Sequence, residues 1–225
     1  MASPVVSAVV TARDEADRIA ATVRALLAMP GVRDVVVVDD GSVDDTADRA
    51  NAAGGRVIRT ARRGKGDALE AGLDAMSDTE VFLLADGDLG GTASGLDSVL
   101  AAVLEGRADL VVAVLPAPPS GGFGMVKSVA ASLVYRASGI RPREPLSGQR
   151  AVTRACLWAC RPLAAGFGLE SAMTADALRL GFRVEEIPAP LEHRFGRKDM
   201  AGFAHRGRQG FHVLRALMPR LAGLR

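Results

Sequence analysis

The feature that most constrains this chain is a series of short apolar runs, each followed by a helical pattern and several ending in acidic residues. Val35–Val38 is apolar at four successive positions between Asp34 and Asp39. A strand apolar on both sides must be covered on both faces, as the inner strands of a parallel sheet are. Val5–Thr11, Arg56–Arg59, Val81–Ala85 and Leu110–Val114 read as further strands. Between them, Glu15–Met29 carries Ile19, Val23, Leu26 and Leu27 at helical spacing, and Asp44–Ala53, Gly66–Ser77 and Leu96–Glu105 read as helices. This alternation predicts an α/β fold, a doubly wound, mainly parallel sheet flanked by helices.

The pattern changes after Leu115. Pro116, Pro118, Pro119, Gly121, Gly122 and Gly124 mark a loop, and a helix is expected over Met125–Ser138. A turn follows at Gly139–Pro145, then strands at Gln149–Thr153 and Arg183–Ile187 with a helix at Glu170–Leu180 between them. No internal repeat interrupts this order, so one domain is expected over residues 1–225, divided into 1–115, 116–199 and a tail at 200–225. At 48% hydrophobic and 24% charged residues the chain can bury a core, which excludes wholesale disorder. Its longest aliphatic run is far below the roughly 20 residues that span a bilayer. The N-terminus has no basic segment ahead of Val5–Val10, so a soluble, cytoplasmic chain is expected. Cys156 and Cys160 share a helix face and lack further metal ligands nearby, so they read as small buried hydrophobes.

Ligands of open α/β sheets bind beyond the carboxyl ends of the strands. Those ends here read Thr11-Ala12-Arg13-Asp14-Glu15, Asp39-Asp40-Gly41-Ser42 and Asp86-Gly87-Asp88. Two carboxylates one residue apart can turn to a shared point where the pleat breaks, and Gly87 permits that break. Hard oxygen ligands suit Mg²⁺ or Mn²⁺, which bridge diphosphate oxygens. The blander alternative for each acidic pair is a turn or helix cap. Arg62-Arg63-Gly64-Lys65-Gly66 would let backbone approach a ligand while Lys65 meets phosphate. It has neither P-loop nor dinucleotide-fingerprint spacing, which argues against an NTPase and a dehydrogenase.

Together, V-V-D-D-G-S-V-D-D-T, R-G-K-G-D-A-L and L-L-A-D-G-D-L resemble the GT-A-fold, family-2-type glycosyltransferases, in particular glucosyl-3-phosphoglycerate synthases and polyprenyl-phosphate sugar transferases. The resemblance covers about residues 4 to 195. It implies a donor-binding first half in which Asp39 or Asp40 contacts base and ribose and Lys65 lies near the nucleotide. Asp86, Gly87 and Asp88 would hold sugar-nucleotide and metal, with Thr11, Arg13 and Glu15 completing the donor set. In the second half, Pro145–Arg150 resembles an acceptor-side loop, giving Ser147, Gly148 and Gln149, with Arg194 and Arg197, as acceptor contacts. Gly166-Phe167-Gly168-Leu169-Glu170 resembles the segment with an acidic residue beside the reacting sugar, and His193 resembles the late histidine of the synthases' metal shell. Two departures stand out. Gly90 replaces a glutamine common in the polyprenyl-phosphate enzymes, and the membrane-spanning C-terminal helices that many of them carry are not expected here.

The reaction so implied moves a hexose from a nucleotide sugar to a phosphorylated acceptor with Mg²⁺ or Mn²⁺. Glu170 is the first choice of base for a hydroxyl acceptor and Asp176 the second. A phosphate acceptor would need no base, and these residues leave the stereochemistry open. Rival readings are a sugar nucleotidyltransferase, which would carry a Gly-rich, Arg-containing loop after strand one, and an inactive binding module. The basic tail adds a question about partners. Residues 192–225 hold eight Lys or Arg against Glu192 and Asp199, on an otherwise acidic chain. With few aromatic residues to stack bases this is weak support for nucleic acid, and a phosphorylated acceptor explains it as well. From Phe211 onward, Val213, Leu214, Leu217, Met218, Leu221 and Leu224 form an apolar stripe, with Arg208, Arg215, Arg220 and Arg225 elsewhere. That stripe is expected to pack on the sheet beneath a solvated basic face, the alternatives being peripheral contact with an anionic membrane and a homodimer interface.

Overall fold

The apolar strand runs become one sheet with two covered faces. The computed structural model describes residues 4–61, 64–116, 124–192 and 200–221. Among these residues seven strands form the sheet: β1 (Val6–Ala12), β2 (Val32–Asp39), β3 (Arg56–Arg59), β4 (Val81–Asp86), β5 (Leu110–Val114), β6 (Arg150–Thr153) and β7 (Val184–Pro188). Their order is β3-β2-β1-β4-β6-β5-β7. β6 alone runs against its neighbours, antiparallel to both β4 and β5. Alternate residues go to opposite faces, as the strand pleat requires. Val10, Val35, Val37 and Leu83 join one core with Ile19, Val23 and Leu26. Val9, Val36, Val38, Phe82 and Leu84 join the other with Leu69, Leu73 and Met173. This is the α/β architecture expected from the sequence.

The helices are α1 (Ile19–Leu27), α2 (Thr46–Ala52), α3 (Lys65–Asp74), α4 (Asp97–Leu104), α5 (Gly124–Ser138), α6 (Arg154–Ala159), α7 (Leu169–Arg179) and α8 (Met200–Leu221). α1 begins four residues later than its apolar spacing suggested. Asp14 takes a left-handed φ of 55°, its N–H donates to Ser42 Oγ at 3.0 Å, and its carboxylate accepts from Val43 N. These bonds hold residues 13–18 as a loop over the ends of β1 and β2. A 3₁₀ segment over Gly87–Leu96, which the sequence reading did not anticipate, follows β4 directly. Cys156 and Cys160 are buried and not disulfide-bonded, as expected.

α8 departs from its expected seat. It packs on helices, where Val213 and Leu217 join Ala130 and Val134 of α5 and Ala175 of α7 in a third apolar cluster. Arg220, expected on a solvated basic face, is 4% exposed and forms a two-pronged ion pair with Asp176 of α7. The pair sits where two helices meet, so neither charge can reach water without opening the contact. Gly168, just ahead of α7, is required there: a Cβ would lie 2.4 Å from Ala216 Cβ and 2.6 Å from the His212 carbonyl oxygen. No helix among the described residues is long and apolar enough to cross a membrane.

Breaking one half of a buried ion pair strands the other charge. Asp176→Ala is therefore expected to cost about 3 kcal/mol in urea denaturation, and the double variant Asp176→Leu, Arg220→Met to recover most of that loss. An Asp176→Ala chain as stable as the wild type would show that α8 does not depend on this contact.

Candidate active site

Register brings the acidic strand ends together. Thr11 pairs with Val38 of β2 and with Asp86 of β4, so β1, β2 and β4 finish side by side. The reversed direction of β6 then delivers the second half of the chain. Arg150, its first residue, pairs with Leu84, so Ser147, Gly148 and Gln149 fall at the end of β4. The start of α3 supplies Lys65 and the start of α7 supplies Glu170.

Four side chains interlock there. Lys65 Nζ lies 2.6 Å from Asp86 Oδ1 and 2.8 Å from Glu170 Oε1. Gln149 grips Asp86 twice: its Nε2 donates to Asp86 Oδ2 at 2.7 Å, and its Oε1 accepts from the Asp86 N–H at 3.0 Å. Burial works against the Lys65 ammonium, but Asp86 and then Glu170 outweigh it and hold its pKa above the ordinary lysine value. Glu170 is buried in the first turn of α7, where the N-terminal end of the helix favours a carboxylate. Gly148 makes the convergence sterically feasible, since a Cβ would stand 2.3 Å from Lys65 Nζ and 2.9 Å from Asp86 Oδ2.

The neighbouring acids shape the loops around this cluster. Asp39 Oδ1 accepts from the Ser42 N–H at 3.0 Å and from its hydroxyl, closing the turn after β2. Asp40 Oδ2 accepts from the Gly64 N–H at 2.9 Å, which fixes the backbone immediately ahead of Lys65. Gly87 and Asp88 are buried, with the Asp88 carbonyl accepting from Arg18 Nη1. Thr11 is half-buried and lines the small cavity beside Lys65 and Glu170. Glu15 is half-buried in the loop above β1, with its N–H donating to Thr46 Oγ1.

Several expected site residues take other places or other contacts. Arg13 is exposed and faces Asp14. Asp176, the second choice of base, is committed to Arg220 and faces α8. Ser147 is turned inward at 2% exposure, its Oγ accepting from the Gln149 N–H, so its hydroxyl does not face an open acceptor site. Gln149, expected on the acceptor, instead braces Asp86. His193, Arg194 and Arg197 lie outside the described residues. Among the described residues no group of three His, Cys, Asp or Glu side chains is placed to hold a metal ion.

One residue escaped the sequence reading. Arg150 is 1% exposed, its Nε donating to the Ser147 carbonyl oxygen and its Nη1 to Thr174 Oγ1. A guanidinium heading an otherwise apolar strand was the available signal.

Residues 7–157 match the family model for Glycosyl transferase family 2, well over half of the chain. The chain belongs to glycosyl transferase family 2. Within the family it is 27% identical over 162 residues to Glycosyltransferase AglJ of Haloferax volcanii, covering 70% of this chain and 54% of that one. It is 32% identical over 206 residues to Glucosyl-3-phosphoglycerate synthase of Mycolicibacterium paratuberculosis, covering 78% and 61%. The chain thus spans little more than half the length of these curated relatives. Among solved structures it superposes on glucosyl-3-phosphoglycerate synthase of Mycobacterium tuberculosis, in complex with Mn²⁺, UDP-glucose and phosphoglyceric acid. The TM-score is 0.80 at 26% identity, covering 97% of this chain and 80% of that one. This is the GT-A architecture that the sequence motifs implied.

The Lys65 contacts generate a direct measurement. The family-2 chain has three lysines, Lys65, Lys127 and Lys198, so ¹³C-dimethylation gives a simple lysine spectrum. Lys65 is expected to titrate above the ordinary lysine range because of Asp86 and Glu170. In Gly148→Ala the new methyl group displaces its ammonium, and the midpoint should fall toward the ordinary lysine value while the fold is kept. An unchanged midpoint in that variant would show that Gly148 does not set the Lys65 position.

Proposed function

We propose that the chain transfers a hexosyl group from a nucleoside diphosphate sugar to a small phosphorylated acceptor, with UDP-glucose and 3-phosphoglycerate as the first pair to test. The observation that carries this reading is the Lys65–Asp86–Gln149–Glu170 cluster at the carboxyl edge of a sheet whose fold and motifs are those of family 2. The synthase relatives and the basic tail support the phosphorylated acceptor. Asp86 and Asp88 would hold the Mg²⁺ or Mn²⁺ ion. Their oxygens are the hard donors such ions take, and the end of β4 presents both residues in one short segment. His193 is the third candidate ligand. Such an ion supplies stabilisation of negative charge on the departing diphosphate.

The protein's own groups account for the remaining requirements. Asp40 fixes the 64–65 backbone from the end of β2, where a base or ribose would lie. Lys65, held charged, stands where it can meet charge developing on the leaving phosphate, the electrostatic assistance that matters most when preorganised. Glu170 is the group to take the proton of an acceptor hydroxyl, and Lys65 keeps one of its oxygens oriented until then. Gln149 aims Asp86 from behind.

The test is thermal shift and sugar transfer with UDP-, GDP- and ADP-sugars, with and without Mn²⁺. UDP-glucose with Mn²⁺ at 100 times its dissociation constant is expected to add about 2.7 kcal/mol of stability. Asp88→Asn should keep the melting temperature and lose Mn²⁺-dependent transfer by about 100-fold or more. Wild-type metal dependence in that variant would remove Asp88 from the ion.

A second reading, a polyprenyl-phosphate acceptor at a membrane surface, is favoured by one observation. Phe211, Leu214 and Met218 are exposed along α8, with Arg215 exposed beside them. Basic residues at an anionic surface are each worth about 1 kcal/mol, so this reading requires salt-reversible co-sedimentation with anionic vesicles. With a small soluble acceptor, the chain is expected to stay in the supernatant even at low salt.

A further inference from the structure

Arg150 is a group that the transfer reading leaves unused. It lies under the cluster, fully enclosed, and heads the one strand that runs against the rest of the sheet. Its three nitrogens have three different surroundings. Nε donates to the Ser147 carbonyl at 2.8 Å, and Nη1 donates to Thr174 Oγ1 at 3.0 Å. Nη2 is buried and has no hydrogen-bond partner among the described residues. Arg150 lines a cavity of about 10 Å³ together with Lys65, Gly148 and Glu170, room for a single water at most.

Such a residue is costly. A guanidinium in an apolar interior loses much of its hydration, and an unbranched apolar side chain would fill the same space without that loss. Burial pushes its pKa down to about 10, and Glu170 is the carboxylate that does most to hold its charge. It is therefore cationic at neutral pH. Lys65 and Arg150 together balance Asp86 and Glu170, but Lys65 is shared between both carboxylates. A donor that engages Lys65 and Asp86 takes that shared cation away from Glu170.

We infer that Arg150 is the positioning residue of Glu170, tying the 147–149 turn to α7 from beneath and remaining as the inner cation when Lys65 turns to the donor. Its enclosure keeps it from touching donor or acceptor, so it acts through its neighbours. Thr174 transmits the hold, because the hydroxyl that accepts from Arg150 also donates to the Glu170 carbonyl oxygen at 3.0 Å. The turn is fixed a second time by Ser171, whose hydroxyl donates to the Pro145 carbonyl oxygen at 2.9 Å. Both bonds end on the first two turns of α7, the segment that carries Glu170.

The inference rests on the transferase reading, so its test has one readout that needs turnover and one that does not. In the full chain with UDP-glucose, Mn²⁺ and 3-phosphoglycerate, Arg150→Gln is expected to lower kcat about tenfold or more with donor KM within about twofold. Arg150→Lys, which keeps the charge, should restore at least about a third of the lost rate. Equal losses in the two folded variants, or a KM effect with kcat unchanged, overturn the inference. Hydrogen exchange is the second readout. Arg150→Gln should speed exchange of amides in 145–149 and 169–174 by about tenfold relative to β1 and β2, with Arg150→Lys intermediate. A change spread evenly over the chain, or none, overturns it. If the wild type transfers sugar from no donor, the transferase reading fails while hydrogen exchange still decides the role of Arg150. Should Arg150→Gln not fold, Thr174→Val removes the partner on α7 and is judged by the same criteria.

Discussion

The structure turns on the contact between Lys65 and two carboxylates that come from distant parts of the chain. Lys65 opens α3, Asp86 closes β4 and Glu170 opens α7. Taking an ammonium partly out of water is unfavourable unless opposite charges meet it at hydrogen-bond distance. Both carboxylates do so, and the pKa of the lysine rises instead of falling. Each of the three elements is thereby held to the others at the point where a ligand of an open α/β sheet would bind.

The reversed strand makes this arrangement possible. In an all-parallel order the residues before β6 would sit at the opposite edge of the sheet, remote from Asp86. Running antiparallel between β4 and β5, β6 places Gln149 and Arg150 under the cluster instead. One of them braces Asp86 and the other anchors the turn to α7. A single change of strand direction among the described residues thus joins the half that supplies Lys65 and Asp86 to the half that supplies Glu170.

The C-terminal helix belongs to the same construction. α8 lies against Gly168 and is pinned to α7 through Arg220 and Asp176, so the helix bearing Glu170 is held from its outer side as well. This accounts for the glycine at position 168 in Gly166-Phe167-Gly168-Leu169-Glu170, where a side chain would meet α8 backbone. It also explains why Asp176, one of two acids on α7 considered for catalysis, serves as a clamp. From sequence both were simply acids on one helix, and only the partner across the interface distinguishes them.

The alternation of apolar runs and helical spacing determined the sheet, its two covered cores and the carboxylates at its rim, because these follow from short-range periodicity and from strand ends being polar. The places of Asp86, Asp88 and Lys65 at the ends of elements were legible for the same reason, while Glu170 stood out only through the resemblance of its segment to the family. The direction of β6, the inward turn of Ser147, the use of Gln149 as a brace, and the buried places of Arg150 and Arg220 were not legible. Each depends on which distant backbone or side chain lies opposite, a property of pairing register and helix contact that no local pattern encodes. A charged residue in sequence carries the same chemistry whether it meets water, a ligand or another charge, and tertiary structure alone assigned Asp176 to Arg220 and Glu170 to Lys65.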